Sequence, residues 1–406
     1  MDIQTPKSIK YSKKTNTKMR KLFSIYSLVA TFLFFPIYIA HSLDFSGNAS
    51  IETAYDTNIE GISDHSFGGE GKMPEEDFLT IASLFLNAAN DKEKKIRLNF
   101  SLNEIYKLYY DEYTEDSNRH IGEINISIPI SQEASFDMNN RSIFHFQPKE
   151  DIRNFFGNYS TFSLSYQLND KNSLTLGYMN SLKKYPNNNK WNFTKNSFFI
   201  QAAHHFSNSL WITASYEGVL YRGRNNFYYE KEEEDEEDIS SIFSKKTSKG
   251  NEHRLIFSGN KIFENGSAIS LKYRFVSNSV NEVIDVEEDR ELAEFEGPFA
   301  YENDEQDFNY TLNEATMIFS FPILKRMALD IILLYQFQNF DGDAFPLEDK
   351  RSRRLDRLAV ADITLTINIL DNLDIKIRNA EMCNESNYPE REYERNYTSI
   401  ALTYFF

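Results

Sequence analysis

The sequence predicts an all-β fold: a closed, transmembrane antiparallel β-barrel of about 16 strands, give or take two, preceded by a cleavable signal peptide. Three observations predict it. Apolar and polar residues alternate with a period of two along most of the chain, which gives each strand one greasy and one wet face. Short and long connections follow one another in turn, as when every hairpin has a tight end and an open end. The chain is polar overall, with a mean hydropathy of −0.54, yet 15% of it is Phe, Tyr or Trp. That combination suits a barrel with a lipid face, aromatic girdles and a hydrated interior, although composition alone would also suit a soluble all-β domain.

The strands can be placed one by one. Leu98, Phe100 and Leu102 alternate with Arg97, Asn99, Ser101 and Asn103. Phe162, Leu164, Tyr166 and Leu168 share one face, and Leu174, Leu176 and Tyr178 resume it after Asn169-Asp170-Lys171-Asn172. The same alternation runs through 210–217, 269–275, 329–337 and 361–369. Short turns are expected near Asn90-Asp91, Pro129 to Gln132, Asn169 to Asn172, Ser207 to Ser209, Glu264 to Gly266, Pro322 to Lys325 and Asp371-Asn372. Long polar connections are expected near 56–75, 110–119, 146–157, 183–196, 222–250, 280–306, 340–353 and 384–395. In 76–89 and 134–146 either parity could face lipid.

The N-terminus carries one continuous apolar stretch, Leu22 to Ile39, after Met19-Arg20-Lys21 and before Ala40-His41-Ser42. This is the order of a charged region, an apolar region and a small-residue cleavage site, so cleavage is expected after Ser42, with Met19 as the natural start. An uncleaved anchor helix is the alternative, since the stretch is just long enough to span. The division is then 1–42 as leader and 43–406 as barrel. The leader holds seven Lys/Arg and one Asp of the chain's 44 basic and 61 acidic residues, which leaves a formal net charge of −23 beyond it. Such a surface is a poor partner for nucleic acid. The lone cysteine, Cys383, cannot form an internal disulfide.

The chain ends Thr398-Ser399-Ile400-Ala401-Leu402-Thr403-Tyr404-Phe405-Phe406, with Ile400, Leu402, Tyr404 and Phe406 on one face. This ending resembles the last strand of bacterial outer-membrane β-barrel, porin-like proteins of Gram-negative organisms. The resemblance implies that the strand is a signal read by the barrel-assembly machinery. The opening Gly47-Asn48-Ala49-Ser50-Ile51 through Tyr55-Asp56-Thr57-Asn58 is similar to a loose group of porin-like barrels, some tied to export. An open strand edge is not tolerated in lipid, so the last strand must close on the first, near Phe45 to Tyr55.

If the apolar faces meet lipid, the same parity turns Arg97, Lys272, Arg274, Lys376 and Arg378 inward, together with Glu123, Asp137, Glu217, Glu314, Asp330 and Asp362. Opposed charges across a wet lumen orient polar solutes, so these residues are candidates for a selectivity ladder. The alternative is that they pair with one another. Two connections are strongly acidic, 230–238 and 282–307, and are either cation-attracting mouths or solvated tips. Lys350, Arg351, Arg353, Arg354 and Arg357 form a basic cluster that either grips lipopolysaccharide phosphates or pairs internally.

Catalysis is not expected. The seven histidines are scattered, His204 and His205 belong to opposite faces of one strand, and no nucleophile elbow, zinc motif or phosphate loop occurs. No cofactor and no bound metal are expected. The expected function is a porin-like channel for diffusion of small polar solutes, with some preference for cations. The alternatives are an export or surface-assembly barrel and a non-conducting surface binder. Expected partners are outer-membrane lipid and lipopolysaccharide, the assembly machinery and the solute itself. General porins narrow the pore with a long third loop, whereas the third long connection here, 146–157, is modest.

Overall fold

The computed structural model describes residues 43–57, 76–90, 96–110, 116–148, 154–186, 192–228, 243–246, 249–280, 309–341, 354–386 and 392–406. The leader 1–42, the acidic segments 230–238 and 282–307, and Lys350, Arg351 and Arg353 lie outside them.

In chain order the strands are β1 (Leu43–Asp56), β2 (Asp77–Asn90), β3 (Arg97–Tyr109), β4 (Ser117–Pro129), β5 (Ala134–Phe146), β6 (Phe155–Asn169), β7 (Asn172–Lys184), β8 (Asn192–Ser207), β9 (Leu210–Tyr228), β10 (Phe243–Lys246), β11 (Lys249–Ile262), β12 (Ala268–Val280), β13 (Asn309–Leu324), β14 (Met327–Asp341), β15 (Leu355–Leu370), β16 (Leu373–Ser386) and β17 (Tyr393–Phe405). Every pairing is antiparallel. β9 pairs with β11, and the four-residue β10 pairs with the far end of β9. The ring is therefore closed by 16 strands.

The seam joins β1 to β17, from Asn48 opposite Phe405 to Asp56 opposite Tyr397. Gly47 and Phe406 extend it: each N–H donates to the other's carbonyl, at 2.9 and 3.0 Å. Gly47 is required there. A Cβ at this position would lie 2.6 Å from the Phe85 carbonyl oxygen and 2.8 Å from the Phe406 ring. The residue opposite the chain end must be small for the terminal ring to lie against the wall.

The tight turns carry the residues their backbones need. Asn169 Oδ1 accepts hydrogen bonds from the N–H groups of Lys171 and Asn172, both at 3.0 Å. Ser131 Oγ accepts from Glu133 and Ala134. Gly266, at φ +84°, supplies the left-handed step after Asn265. The turn expected at Pro322 to Lys325 sits slightly later, at Lys325-Arg326, because β13 continues through Pro322 to Leu324 with a register shift.

The register divides each strand into two faces. Large apolar side chains stay exposed on one of them, among them Ile51, Leu164, Leu176, Ile200, Phe257 and Leu271. This greasy outer face is what a membrane-spanning barrel needs. Near its loop-side edge, outward tyrosines donate to polar neighbours on the next strand: Tyr178 to Asn196 and Tyr273 to Asn313, both at 2.7 Å. Tyr216 shares a 2.7 Å hydrogen bond with His253. An aromatic body in the apolar layer with its hydroxyl in the polar layer is the usual chemistry of a membrane border. The two ambiguous segments are resolved by their partners: β2 and β5 turn Phe78, Leu84, Phe136, Phe144 and Phe146 outward.

Several strands run further than sequence patterning indicates. β1 includes Asp56, β17 starts at Tyr393, and β9 continues to Tyr228, all inside expected loops. Alternation fades there because neither face meets hydrocarbon, while the backbone ladder continues.

The Gly47→Leu substitution is expected to hinder ring closure, since backbone at Phe85 cannot yield as a side-chain tip can. The measurement is the fraction of protein that migrates differently before and after boiling. The Gly47→Leu protein should show much less of the compact band, and a Gly47→Ala protein an intermediate amount. Equal compact fractions in both variants and the wild type would remove the steric role of Gly47.

Candidate functional site: the inner wall

Antiparallel pairing carries one face around the whole ring, so the inward set can be read from the registers. On β3 to β9 it is the odd-numbered residues, on β11 to β16 the even ones. Arg97, Glu123, Asp137 and Glu217 share that face with Lys272, Arg274, Glu314, Asp330, Asp362, Lys376 and Arg378. His205 is on it too, stacked near Trp211, while His204 faces outward against Phe206.

These charges fall into two groups. In the first, carboxylate and guanidinium neutralise each other. Arg274 Nη2 donates to Glu314 at 2.6 Å. Arg254 donates to Glu252 and reaches Glu217 at 3.5 Å. Arg378 grips Asp362 with Nε at 3.0 and 3.1 Å and Nη2 at 2.7 Å. Arg354 pairs with Asp356 and lies over the Phe340 ring, 4.2 Å from its centre. In the second group no ion pair forms among the described residues. Glu123 accepts from Asn125 and Asn139, Asp137 from Ser135, and Asp330 from Ser320. Arg97, Lys272 and Lys376 are the cations of this group. Internal pairing thus accounts for Glu217, Arg274, Glu314, Asp362 and Arg378, and leaves the other six expected ladder residues available to the lumen.

A cavity of about 150 Å³ opens on the inner wall beside the seam, lined from β1, β2, β3, β15, β16 and β17. Leu79, Ile81, Val360 and Met382 give it an apolar floor. Around it, Arg395 clamps Asp56 through both Nε, at 2.9 Å, and Nη2, and Tyr397 donates to Glu52 at 2.7 Å. The Arg378 guanidinium lies over the Tyr397 ring at 5.3 Å. Lys107 also lines this cavity. Its ammonium forms no ion pair among the described residues, and it feels Arg119 and Arg395 as well as Asp56 and Glu52. On the adjoining strands Arg119 and Arg141 share its face, also without an ion pair to a described carboxylate. The wall from β9 round to β17 is therefore largely self-neutralised, and the wall of β3 to β5 carries four cations, Arg97, Lys107, Arg119 and Arg141, and two carboxylates, Glu123 and Asp137, with no ion pair among them.

Sequence reasoning missed Lys107, Arg119, Arg141 and the Asp56–Arg395 clamp. Lys107 was reachable, because it continues the parity of Arg97. Arg141 lies in a segment of ambiguous parity. Asp56 and Arg395 lie in expected loops, and nothing local shows that two residues so far apart in the chain meet across a seam. Of the basic cluster, Arg354 and Arg357 are described and both pair internally, Arg357 with Glu385 at 3.6 Å. Among the described residues no group of His, Cys, Asp and Glu is arranged to hold a metal ion.

A closed 16-stranded ring with a greasy outside and a charged inside defines a membrane-spanning β-barrel of the bacterial outer-membrane type. No known family model matches the sequence, and no curated protein matches it. Solved structures do share the fold. OccAB1 of Acinetobacter baumannii is 10% identical, with a TM-score of 0.51 over 89% of this chain and 96% of that one. OpdK of Pseudomonas aeruginosa, solved with vanillate, is 8% identical, with a TM-score of 0.48 over 89% and 98%. OmpT of Vibrio cholerae is 10% identical, with a TM-score of 0.46 over 90% and 97%.

Replacing Asp56 with Ala should destabilise the barrel by about 3–5 kcal/mol, because the mostly buried Arg395 guanidinium would lose its carboxylate. The urea midpoint of protein folded into phospholipid vesicles measures this. An Asp56→Ala, Arg395→Met double variant should recover part of the loss; a fully additive pair would mean that the clamp contributes nothing as a unit.

Proposed function

We propose that this outer-membrane barrel is a porin-like channel through which small polar solutes diffuse. The observation that carries the reading is the uneven inner wall: neutralised pairs on one side, and on the other Arg97, Lys107, Arg119 and Arg141 beside Glu123 and Asp137, with no ion pair among these described residues. Such a wall sets up a transverse field that orients dipolar solutes, while the cavity floor of Leu79, Ile81, Val360 and Met382 offers a place for their apolar parts. Sixteen strands are enough to enclose an aqueous lumen.

Two fields act on an ion. The net charge of −23 beyond Ser42 acts at long range and favours cations at the mouth, so the channel has a modest cation preference. The β3–β5 cations act locally and slow anionic groups at the wall. In the same reading, Arg97, Lys272, Lys376, Asp137 and Asp330 complete the ladder nearer the turns, and Glu123 faces Arg141 across β4 and β5. Ile400, Leu402, Tyr404 and Phe406 form the assembly signal, and the leader is removed after Ser42, at the residue where β1 begins.

Purified protein in planar bilayers tests the channel. Discrete conductance steps are expected at several salt concentrations, and a bilayer that stays silent at all of them removes the proposal. Under a KCl gradient the reversal potential should indicate preference for K⁺. Lys107→Gln should strengthen that preference by roughly 1.5- to 3-fold, since one local cation is lost from the path.

A further inference from the structure

A carboxylate, an isoleucine and an ammonium form one row across the first strands. Glu52 on β1 stands opposite Ile81 on β2, and Ile81 stands opposite Lys107 on β3. All three line the cavity beside the seam. Two strand spacings put the Cα atoms of Glu52 and Lys107 about 9.5 Å apart. Side chains of that length could meet over Ile81, yet no ion pair joins them. Lys107 makes no hydrogen bond or ion pair among the described residues. Glu52 Oε1 accepts from Tyr397 at 2.7 Å, and Oε2 has no hydrogen-bond partner among the described residues. Each end of the row therefore keeps bonding capacity: an acceptor at Glu52 and donors at Lys107.

The neighbouring charges do not compete for a ligand. Arg395 and Asp56 close on each other through Nε and Nη2, and so do Arg378 and Asp362. On the inward face of the lining, Glu52, Asp56 and Asp362 are matched by Lys107, Arg378 and Arg395. A ligand bearing only an anion would engage Lys107 and stand uncompensated beside Glu52; one bearing only a cation would do the reverse. A ligand with both charges and no net charge completes both ends. Its span is also set. Side chains of a strand rise roughly perpendicular to the sheet, so the two tips stay about as far apart as their Cα atoms. A hydrogen bond of roughly 2.8 Å at each end leaves about 4 Å between the ligand's own charges. An ammonium and a carboxylate on one carbon are separated by about that much.

The rest of the cavity selects the body of the ligand. Leu79, Val360 and Met382 are buried beside Ile81 and make the floor aliphatic. A volume of about 150 Å³ is the liquid share of about five waters, which suits a single amino acid and is too small for an oligosaccharide. We propose that this cavity is a binding subsite for zwitterionic α-amino acids with an aliphatic side chain. The ligand's ammonium donates to Glu52, its carboxylate accepts from Lys107, and its side chain lies over Leu79 and Ile81. The inference rests on the channel reading, which brings solute past this wall, and it names the class of solute that the wall holds.

The test is binding of L-leucine to the folded full-length protein in lipid nanodiscs, read by saturation-transfer NMR and by equilibrium dialysis of the radiolabelled amino acid. Saturable binding is expected. Isocaproate lacks the ammonium, isoamylamine lacks the carboxylate, and ε-aminocaproate holds its charges too far apart. Each should compete less well than leucine by about ten-fold or more, since one charge-assisted hydrogen bond is lost. Glu52→Gln should narrow the gap between leucine and isocaproate, and Lys107→Met the gap between leucine and isoamylamine. A general loss of structure would not exchange selectivity in that way, and both variants should keep their boiling-dependent gel mobility. Should either variant not fold, the ligand series on the wild type decides alone. No saturable leucine binding overturns the inference. Isocaproate bound as tightly as leucine overturns it too, as does a ranking of ligands that both folded variants leave unchanged. No arm reads conductance. Conductance steps without leucine binding remove the subsite and keep the channel, whereas leucine binding to a barrel that stays silent in bilayers removes the channel reading.

Discussion

Hydrogen bonding of the backbone in a solvent that offers none is the constraint on which the rest depends. Every N–H and C=O within the apolar band must find a partner in the chain itself, and a sheet can meet that demand only by closing. The closure here is made between the two ends of the described chain, β1 and β17, with Gly47 and Phe406 at its margin. The requirement reaches individual side chains: a residue without a Cβ stands where the terminal ring and the neighbouring backbone come within contact.

Closure fixes what the side chains do. Once the registers are set, each residue is committed to lipid or lumen, and a one-residue slip would turn charge into hydrocarbon. Charge inside is then a matter of neighbours. Where the register sets Arg274 beside Glu314, or Arg378 diagonal to Asp362, the pair neutralises itself. Where it sets Lys107, Arg119 and Arg141 along adjoining strands, no ion pair closes among the described residues, although Glu123 stands directly opposite Arg141.

Much of this was legible in the sequence. The strands at Leu98–Leu102, Phe162–Leu168 and Ile269–Phe275 announce themselves by period-two alternation, because one face meets hydrocarbon and the other water. Turns at Asn169 and Gly266 are legible because few residues satisfy their backbones. The inward parity of Arg97, Lys272 and Lys376 follows from the strands that carry them. Strand length was less legible: beyond the apolar band both faces are wet, alternation fades, and Asp56 and Arg395 read as loop.

The sequence by itself determined which faces are greasy, how many strands there are to within a small margin, and that the last strand must meet the first. Those properties are local or follow from a universal demand for hydrogen-bond partners. Only the tertiary structure decided which charge neutralises which, that Asp56 and Arg395 clamp across the seam, and that Lys107 lines a cavity walled by six strands. Those depend on register and stagger around a closed ring, which couple residues hundreds of positions apart and leave no periodic trace along the chain.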